Sequence, residues 1–241
     1  MNSPTPRIGQ DANGRAPPPC ATRCVAILLA ALGACATAHG AEPAPGDGFH
    51  LPGDYSEQTT VAEFQARFGA ENVQVAPLSD TDDAPRGLVL FPGDPSRRAY
   101  VAFHDEDALT GVASITVRDR GSRWRGKQGV HVGMSFADLR CANGKPFYFS
   151  GFDATLQGFV QDAWSPSLDA DDDTLGALDV GPGEEMYFAV ELGPPPAAAP
   201  IQASWYPRDE MSVSSDDARF PRLGALFEVT AIRAFTSLDD E

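Results

Sequence analysis

The sequence predicts an α+β fold: two tandem helix-plus-antiparallel-meander units, with short helices packed on one face of an antiparallel sheet. Three observations carry that prediction. A short capped helix is written twice, and each copy is followed by alternating apolar runs. The runs lie too close together for crossover helices, so neighbouring strands must be antiparallel.

The downstream copy is the clearer of the two. It sits in GVHVGMSFADLRCANGKPFYF, residues 129–149. Ser135 and Asp138 have the spacing of a capping box, in which the cap side chain accepts the N–H three residues on and the acid reaches back. Phe136 and Leu139 give an i, i+3 apolar stripe, Asn143-Gly144 tolerates a left-handed ending, and Pro146 prevents resumption. A helix of about two turns cannot stand alone, so it must lie on apolar surface.

The upstream copy is TVAEFQARFG, residues 60–69, against SFADLRCANG, residues 135–144. Thr60 falls on Ser135, Glu63 on Asp138, Val61 and Phe64 on Phe136 and Leu139, and Gly69 on Gly144. Further on, Tyr100 to Phe103 echoes Tyr187 to Val190, and Ile115 to Arg118 echoes Thr230 to Arg233. The spacing between copies grows along the chain, as a duplication with insertions in its second half would leave it.

The pattern from Gly133 to Pro146, Gly-Met-Ser-x-x-Asp-Leu-x-x-x-Asn-Gly-x-Pro, resembles a motif of small exported bacterial modules. These are the SmpA/BamE-like lipoproteins of outer-membrane assembly and the β-lactamase-inhibitor-protein-like fold. More of the chain resembles a bacterial secreted and lipoprotein family with "GMS…NG.PF…GF" segments. The resemblance implies one helix-and-sheet unit or two in tandem, in a scaffold or binding module.

At the N-terminus a Pro-rich, positive stretch (Arg7, Arg15, Arg23 against Asp11) precedes the apolar run from Val25 to Ala34. About ten apolar residues make a signal-peptide core and are too few to span a bilayer. Two processing routes compete. Leu32-Gly-Ala-Cys35 resembles a lipobox, in which Cys35 becomes the lipidated first residue; Ala36-Thr-Ala38 and Ala38-His-Gly40 offer ordinary signal-peptidase sites. The expected location is the periplasm, either soluble or held to a membrane by a lipid anchor. Loss of residues 1–35 removes three Arg and one Asp and moves the net charge from −16 to −18. So acidic a chain is a poor partner for nucleic acid, which requires clustered Lys and Arg. Cys141 becomes the one body cysteine besides Cys35, so no disulfide framework is expected, and stability must come from a core.

The organisation then reads as follows: a signal peptide over 1–35, a flexible tether over 36–56, a first repeat over 57–120, a basic link over 121–130, a second repeat over 131–235 and an acidic tail over 236–241. Strands are expected at 87–91, 99–103 and 112–117, then at 147–149, 158–164, 186–192, 201–206 and 226–232. The second repeat carries two insertions that read as mobile loops, an acidic one over 165–185 and a Pro/Ala-rich one over 193–223.

No catalytic motif is present. Asp169, Asp171 and Asp173 have the 1, 3, 5 spacing of a calcium loop, but Thr174 and Val180 stand where an EF-hand places Gly and Glu. The pattern fails where it is most diagnostic, so a solvated acidic loop is the better reading and calcium the weaker one. His104 and His131 belong to no spaced metal motif, and Cys141 reads as a small buried or half-buried thiol. No cofactor is implied. The outlier is the run from Arg118 to Lys127, with five cations in ten residues and Trp124 between Arg123 and Arg125. It is either a linker or a docking surface, since Trp and Arg are enriched at interface hot spots. Tyr148, Trp164 and Trp205 are further partner-binding candidates, because strand alternation places some aromatics on an open sheet face. The expected role is an exported cell-envelope module that binds a protein. The alternatives are a small carboxylate-dependent hydrolase or carbohydrate-active enzyme, and a purely structural envelope protein.

The lipobox generates a test. Globomycin, which blocks lipoprotein signal peptidase, should cause a larger precursor to accumulate on immunoblots. Normal processing in its presence, together with normal cleavage of Cys35→Ala, would assign the chain to ordinary signal peptidase instead.

Overall fold

Capping chemistry starts both main helices in the computed structural model, which describes residues 48–153, 157–160, 164–165, 175–181 and 185–236. At α1 (Val61–Phe68) the capping box is complete: Thr60 Oγ1 accepts the Glu63 N–H at 3.2 Å and Glu63 Oε2 accepts the Thr60 N–H at 2.7 Å. At α2 (Phe136–Asn143) only half of it forms. Ser135 Oγ accepts the Asp138 N–H at 3.0 Å, while the Asp138 carboxylate accepts the serine hydroxyl at 2.7 Å. Aspartate is one methylene shorter than glutamate and settles on the nearer donor. Gly144, at φ 73°, closes α2 in the left-handed conformation expected of a C-cap glycine.

Four strands follow α1: β1 (Val73–Pro77), β2 (Arg86–Leu90), β3 (Ala99–Asp105) and β4 (Thr110–Val117). After α2 come β5 (Tyr148–Phe149), β6 (Tyr187–Gly193), β7 (Val213–Ser214), the single turn α3 (Leu223–Leu226) and β8 (Glu228–Phe235). Six strands form one sheet in the order β1-β2-β3-β4-β8-β6, every neighbouring pair antiparallel, and β5 pairs with β7. The fold is therefore α+β, with a mostly antiparallel sheet and a few short helices. Residues Ala41–Glu241 cluster as one compact unit.

Strand alternation sorts the side chains. The registers place Leu88, Val101, Ile115, Ala234 and Phe188 in one cross-strand row, and Leu90, Ala99, Val117, Ile232 and Val190 belong to the same face. All ten are buried. Phe64 and Phe68 of α1 and Phe136 and Leu139 of α2 join them in a single core cluster. The β4–β8 junction also bears on the repeated motifs. Val117 and Ile232, which the repeat alignment equates, face each other across it. The outer strands fit the alignment less well: Tyr100 lies opposite Thr116, yet Tyr187 lies opposite Phe235 rather than Ala231. The second tyrosine is displaced by an even number of residues, so it keeps the same face.

Several expectations need correction. Residues 48–56 are not tether: Phe49, Leu51 and Tyr55 are buried, and backbone bonds run from Leu51 N–H to Arg125 O and from Arg125 N–H to Phe49 O, both 2.9 Å. The Gly/Pro-rich composition of that stretch hid its apolar side chains. Strand β1 was missed, although Val73-Gln-Val75 between Asn72 and Pro77 alternates as a short edge strand does. The strand expected at 201–206 is instead a turn of 3₁₀ helix over Ala203–Trp205. The 193–223 segment is anchored by buried Pro207, Val213 and Leu223. Of the strand expected at 158–164, Phe159 and Val160 form single bridges joining β6 to β5, and residues 161–163 lie outside the described residues. Part of the acidic insertion is also core. Leu178 is fully buried, and the Asn143 carboxamide donates to Trp164 O at 2.9 Å and Lys145 O at 2.8 Å while accepting from Leu178 N–H at 3.2 Å. Cys141 is exposed and disulfide-bonded, not a buried thiol; the other cysteines lie outside the described residues.

The basic link is built into this core. Trp124 is fully buried against Phe49, Phe68 and Tyr55, and its Nε1–H donates to Arg97 O at 2.8 Å. Gly126 lies so close to the Phe188 ring that a Cβ would sit 2.1 Å from it. The cations are absorbed locally. Arg118 packs on Tyr100, Arg120 pairs with Glu228, Arg123 lies over Phe49, Arg125 donates to Ser122 O and Trp124 O, and Lys127 donates to Asp179 O. Trp124→Ala should therefore cost about 3–5 kcal/mol in urea denaturation, as truncation of a large core aromatic does. Arg123→Ala, at an exposed position over the Phe49 ring, should cost less, about 1 kcal/mol. Equal effects of the two would contradict the core assignment.

Candidate functional site

Helices and loops cover the inner face of the sheet; the outer face holds a different set of side chains. One cross-strand row reads Val89, Tyr100, Thr116, Arg233 and Ala189, and the next reads Ala102, Ser114, Phe235 and Tyr187. Tyr100, Ala102, Ser114, Phe235 and Tyr187 are half-buried. Phe235 sits between two aromatic neighbours, with ring centroids 5.6 Å from Tyr187 and 6.4 Å from Phe159.

Arg233 holds the centre. Its Nε donates to Thr116 Oγ1 at 3.2 Å and its Nη2 to Glu191 Oε1 at 2.9 Å, so one guanidinium ties β4, β8 and β6 together. Ala189 lies opposite Arg233 and Ala231 opposite Glu191, and both alanines are buried. Fixing the fork from two sides orders a flat polar patch between aromatic flanks. At one end Arg118 lies over Tyr100 in a cation–π contact, its guanidinium carbon 5.8 Å from the ring centre.

The residues singled out from sequence do not meet on this face. Trp124 is core, as described above, and Arg125 is half-buried against backbone carbonyls. Trp164 is also buried, stacked on Phe188 with its Nε1–H donating to Phe188 O at 2.8 Å, and so it presents nothing to a partner. Arg123 is exposed but lies over Phe49. Tyr148 is half-buried opposite Ser214 in β5, and Trp205 is half-buried beneath Arg222, whose guanidinium carbon is 4.1 Å from the ring centre. Asp169, Asp171, Asp173 and Cys35 lie outside the described residues. The outer-face residues were overlooked because each looks ordinary alone; only the period-two placement of Tyr100, Tyr187 and Phe235 marks them, and only once the register is known.

Among the described residues, no group of three or more His, Cys, Asp or Glu is placed to hold a metal ion. His104 Nε2 lies 2.9 Å from Thr236 Oγ1, and His131 Nδ1 lies 3.0 Å from Gly129 O. Among the described residues, the carboxylates that shift all move toward the ionised form. The Arg67 guanidinium, hydrogen-bonded at 2.6 and 2.7 Å, lowers Asp54; the Thr60 backbone N–H lowers Glu63; Arg219 lowers Asp217. The Ser96 hydroxyl, followed by Arg97, lowers Asp94 to about 2. A carboxylate held ionised in this way does not carry the proton that a general acid must deliver.

Comparison with protein-family models, with curated proteins and with solved structures finds no match for this chain.

Asp94 organises the turn that presents Arg97 O to Trp124, so its ionisation is linked to folding. Because its folded pKa is about 2 against an ordinary 3.8, its contribution is full above the ordinary value and is lost as pH falls through about 2. Asp94→Asn should be less stable than the wild type at about pH 5, and the gap in urea midpoint should close on acidification. A gap that stays constant down to that pH would show that Asp94 is not linked.

Proposed function

We propose that this chain is an exported, non-catalytic module of the cell envelope that binds a partner protein through the outer face of its sheet. The observation that carries the proposal is the ordered row of half-buried aromatics around Arg233. A sheet face that serves only as solvated surface does not need three aromatic rings in contact, Phe159 T-shaped and Tyr187 tilted against Phe235. Export rests on the basic, apolar and small-residue succession of residues 1–40.

Size and chemistry define the partner. Five strands at about 4.8 Å spacing and about seven residues of length give a face of roughly 550 Å². Doubled for two partners, that falls within the range of small, transient interfaces rather than obligate ones. Aromatic rings with Arg118 and Arg233 suit a surface bearing apolar side chains and carboxylates, and the two arginines give this face positive charge on a chain that is acidic as a whole.

Site-specific photocrosslinking tests it. A benzoylphenylalanine at Tyr100 or at Tyr187 should give an adduct of one defined mass in intact cells. The same residue at Ala137, exposed on α2, should not. Adducts at all three positions, or at none, would remove the outer face as the binding surface.

A further inference from the structure

A second feature lies away from the outer face, where the Pro/Ala-rich segment turns back over the aromatic cluster beside β8. Phe152 stacks on Phe227 with ring centres 3.8 Å apart, and Tyr206 stands edge-on to both, at 5.9 and 5.8 Å. Backbone bonds hold the floor in place: Phe152 N–H donates to Pro207 O at 3.1 Å and Asp153 N–H to Arg208 O at 2.9 Å. The opposite wall is the loop Gly193-Pro-Pro-Pro-Ala-Ala-Ala-Pro200, closed by Ala198 N–H donating to Pro195 O at 2.9 Å. Between them is a pocket of about 440 Å³, completed by Ile201 and edged by Asp153. That volume lies within the ordinary range of small-molecule sites.

The chemistry of the lining is lopsided. Proline has no N–H, and the Ala198 N–H is already used, so this wall offers ring methylenes and carbonyl oxygens but few donors. The side chains add three aromatic rings, Ile201, one hydroxyl at Tyr206 and one carboxylate at Asp153. Such a site desolvates an apolar body well. A sugar would fare badly in it, because hydroxyls buried without donors and acceptors cost more than they return. An anion would find few donors and the field of a chain with a formal charge of −16. A positive end, by contrast, meets ring faces, carbonyl oxygens and Asp153. Arg208 Nε already donates to Asp153 Oδ2 at 2.5 Å, but the two side chains are 54% and 35% exposed, and an ion pair so open to water is readily rearranged.

We propose that this pocket binds a small hydrophobic cation: an apolar ring or short chain lying against Phe152 and Tyr206, with an ammonium group turned toward Asp153. The inference is independent of the protein-binding role of the outer face and survives its failure.

A matched series decides it, measured on the purified chain by titration calorimetry and ligand-observed NMR at neutral pH. The probes are 4-phenylbutylamine, 4-phenylbutanol and 4-phenylbutyrate, which share a body and differ in charge. The amine should bind with a Kd about tenfold or more below that of the butyrate, the alcohol falling between them. Asp153→Asn should bring the amine to within about twofold of the alcohol while leaving the alcohol's affinity unchanged. Phe152→Ala should abolish binding of all three. Should that variant fail to fold, Ala199→Trp, which places bulk on an exposed lining position, should block binding with an unchanged melting temperature. No binding of the amine, equal binding of amine and butyrate, or amine binding that survives Ala199→Trp would each overturn the proposal.

Discussion

The antiparallel pairing of β4 with β8 is the constraint on which the rest of the molecule depends. Without it the chain would hold two small meanders, each with a short helix that cannot persist alone. With it, Ile115 and Val117 continue into Ala234 and Ile232, and one inner face runs unbroken across six strands. Both helices then bury their aromatic stripes on one core instead of two marginal ones. A larger shared core buries a greater fraction of its surface, which is how a chain of this size gains stability.

That junction also explains the fate of the basic link. The segment between the halves must cross from the end of β4 to the start of α2 over the seam between their two aromatic clusters. Trp124 fills the first cluster, Gly126 admits Phe188 of the second, and each flanking cation finds a ring face, a carboxylate or a carbonyl within reach. The local charge excess that looked like a recognition signal is thereby neutralised by structure. Arg118 differs from the others in facing the outer side of the sheet, where it stacks on Tyr100.

Packing helices on one face leaves the other to a different logic. On the inner face burial alone selects the residues, and they are aliphatic or aromatic with almost no polar atoms. On the outer face order comes from specific contacts: an arginine fork shared by Thr116 and Glu191, and an aromatic trio around Phe235. Contacts of that kind pre-organise a surface and reduce the entropy lost on binding. The Pro-rich pocket uses the same principle in another form, since proline walls and stacked rings have few rotamers to lose.

What the sequence by itself determined is local. Both capped helices, the strands from Arg86 through Val117 and the strand at β6 were legible, because caps and alternation act over three to seven neighbouring residues. The antiparallel sense of β2 to β4 was legible as well, because their short connections leave no room for a crossover. Register, partnership and accessibility belong to the tertiary structure. Whether Trp124 is an exposed anchor or a core residue depends on Phe49, Phe68 and Tyr55, far from it in the chain. Whether residues 48–56 are tether or core depends on backbone partners at Arg125. The outer-face row exists only because β3, β4, β8 and β6 pair in one register, and a shift of one residue would have buried Tyr100 and exposed Val101. Local grammar wrote the elements; long-range pairing decided which of their faces meets water.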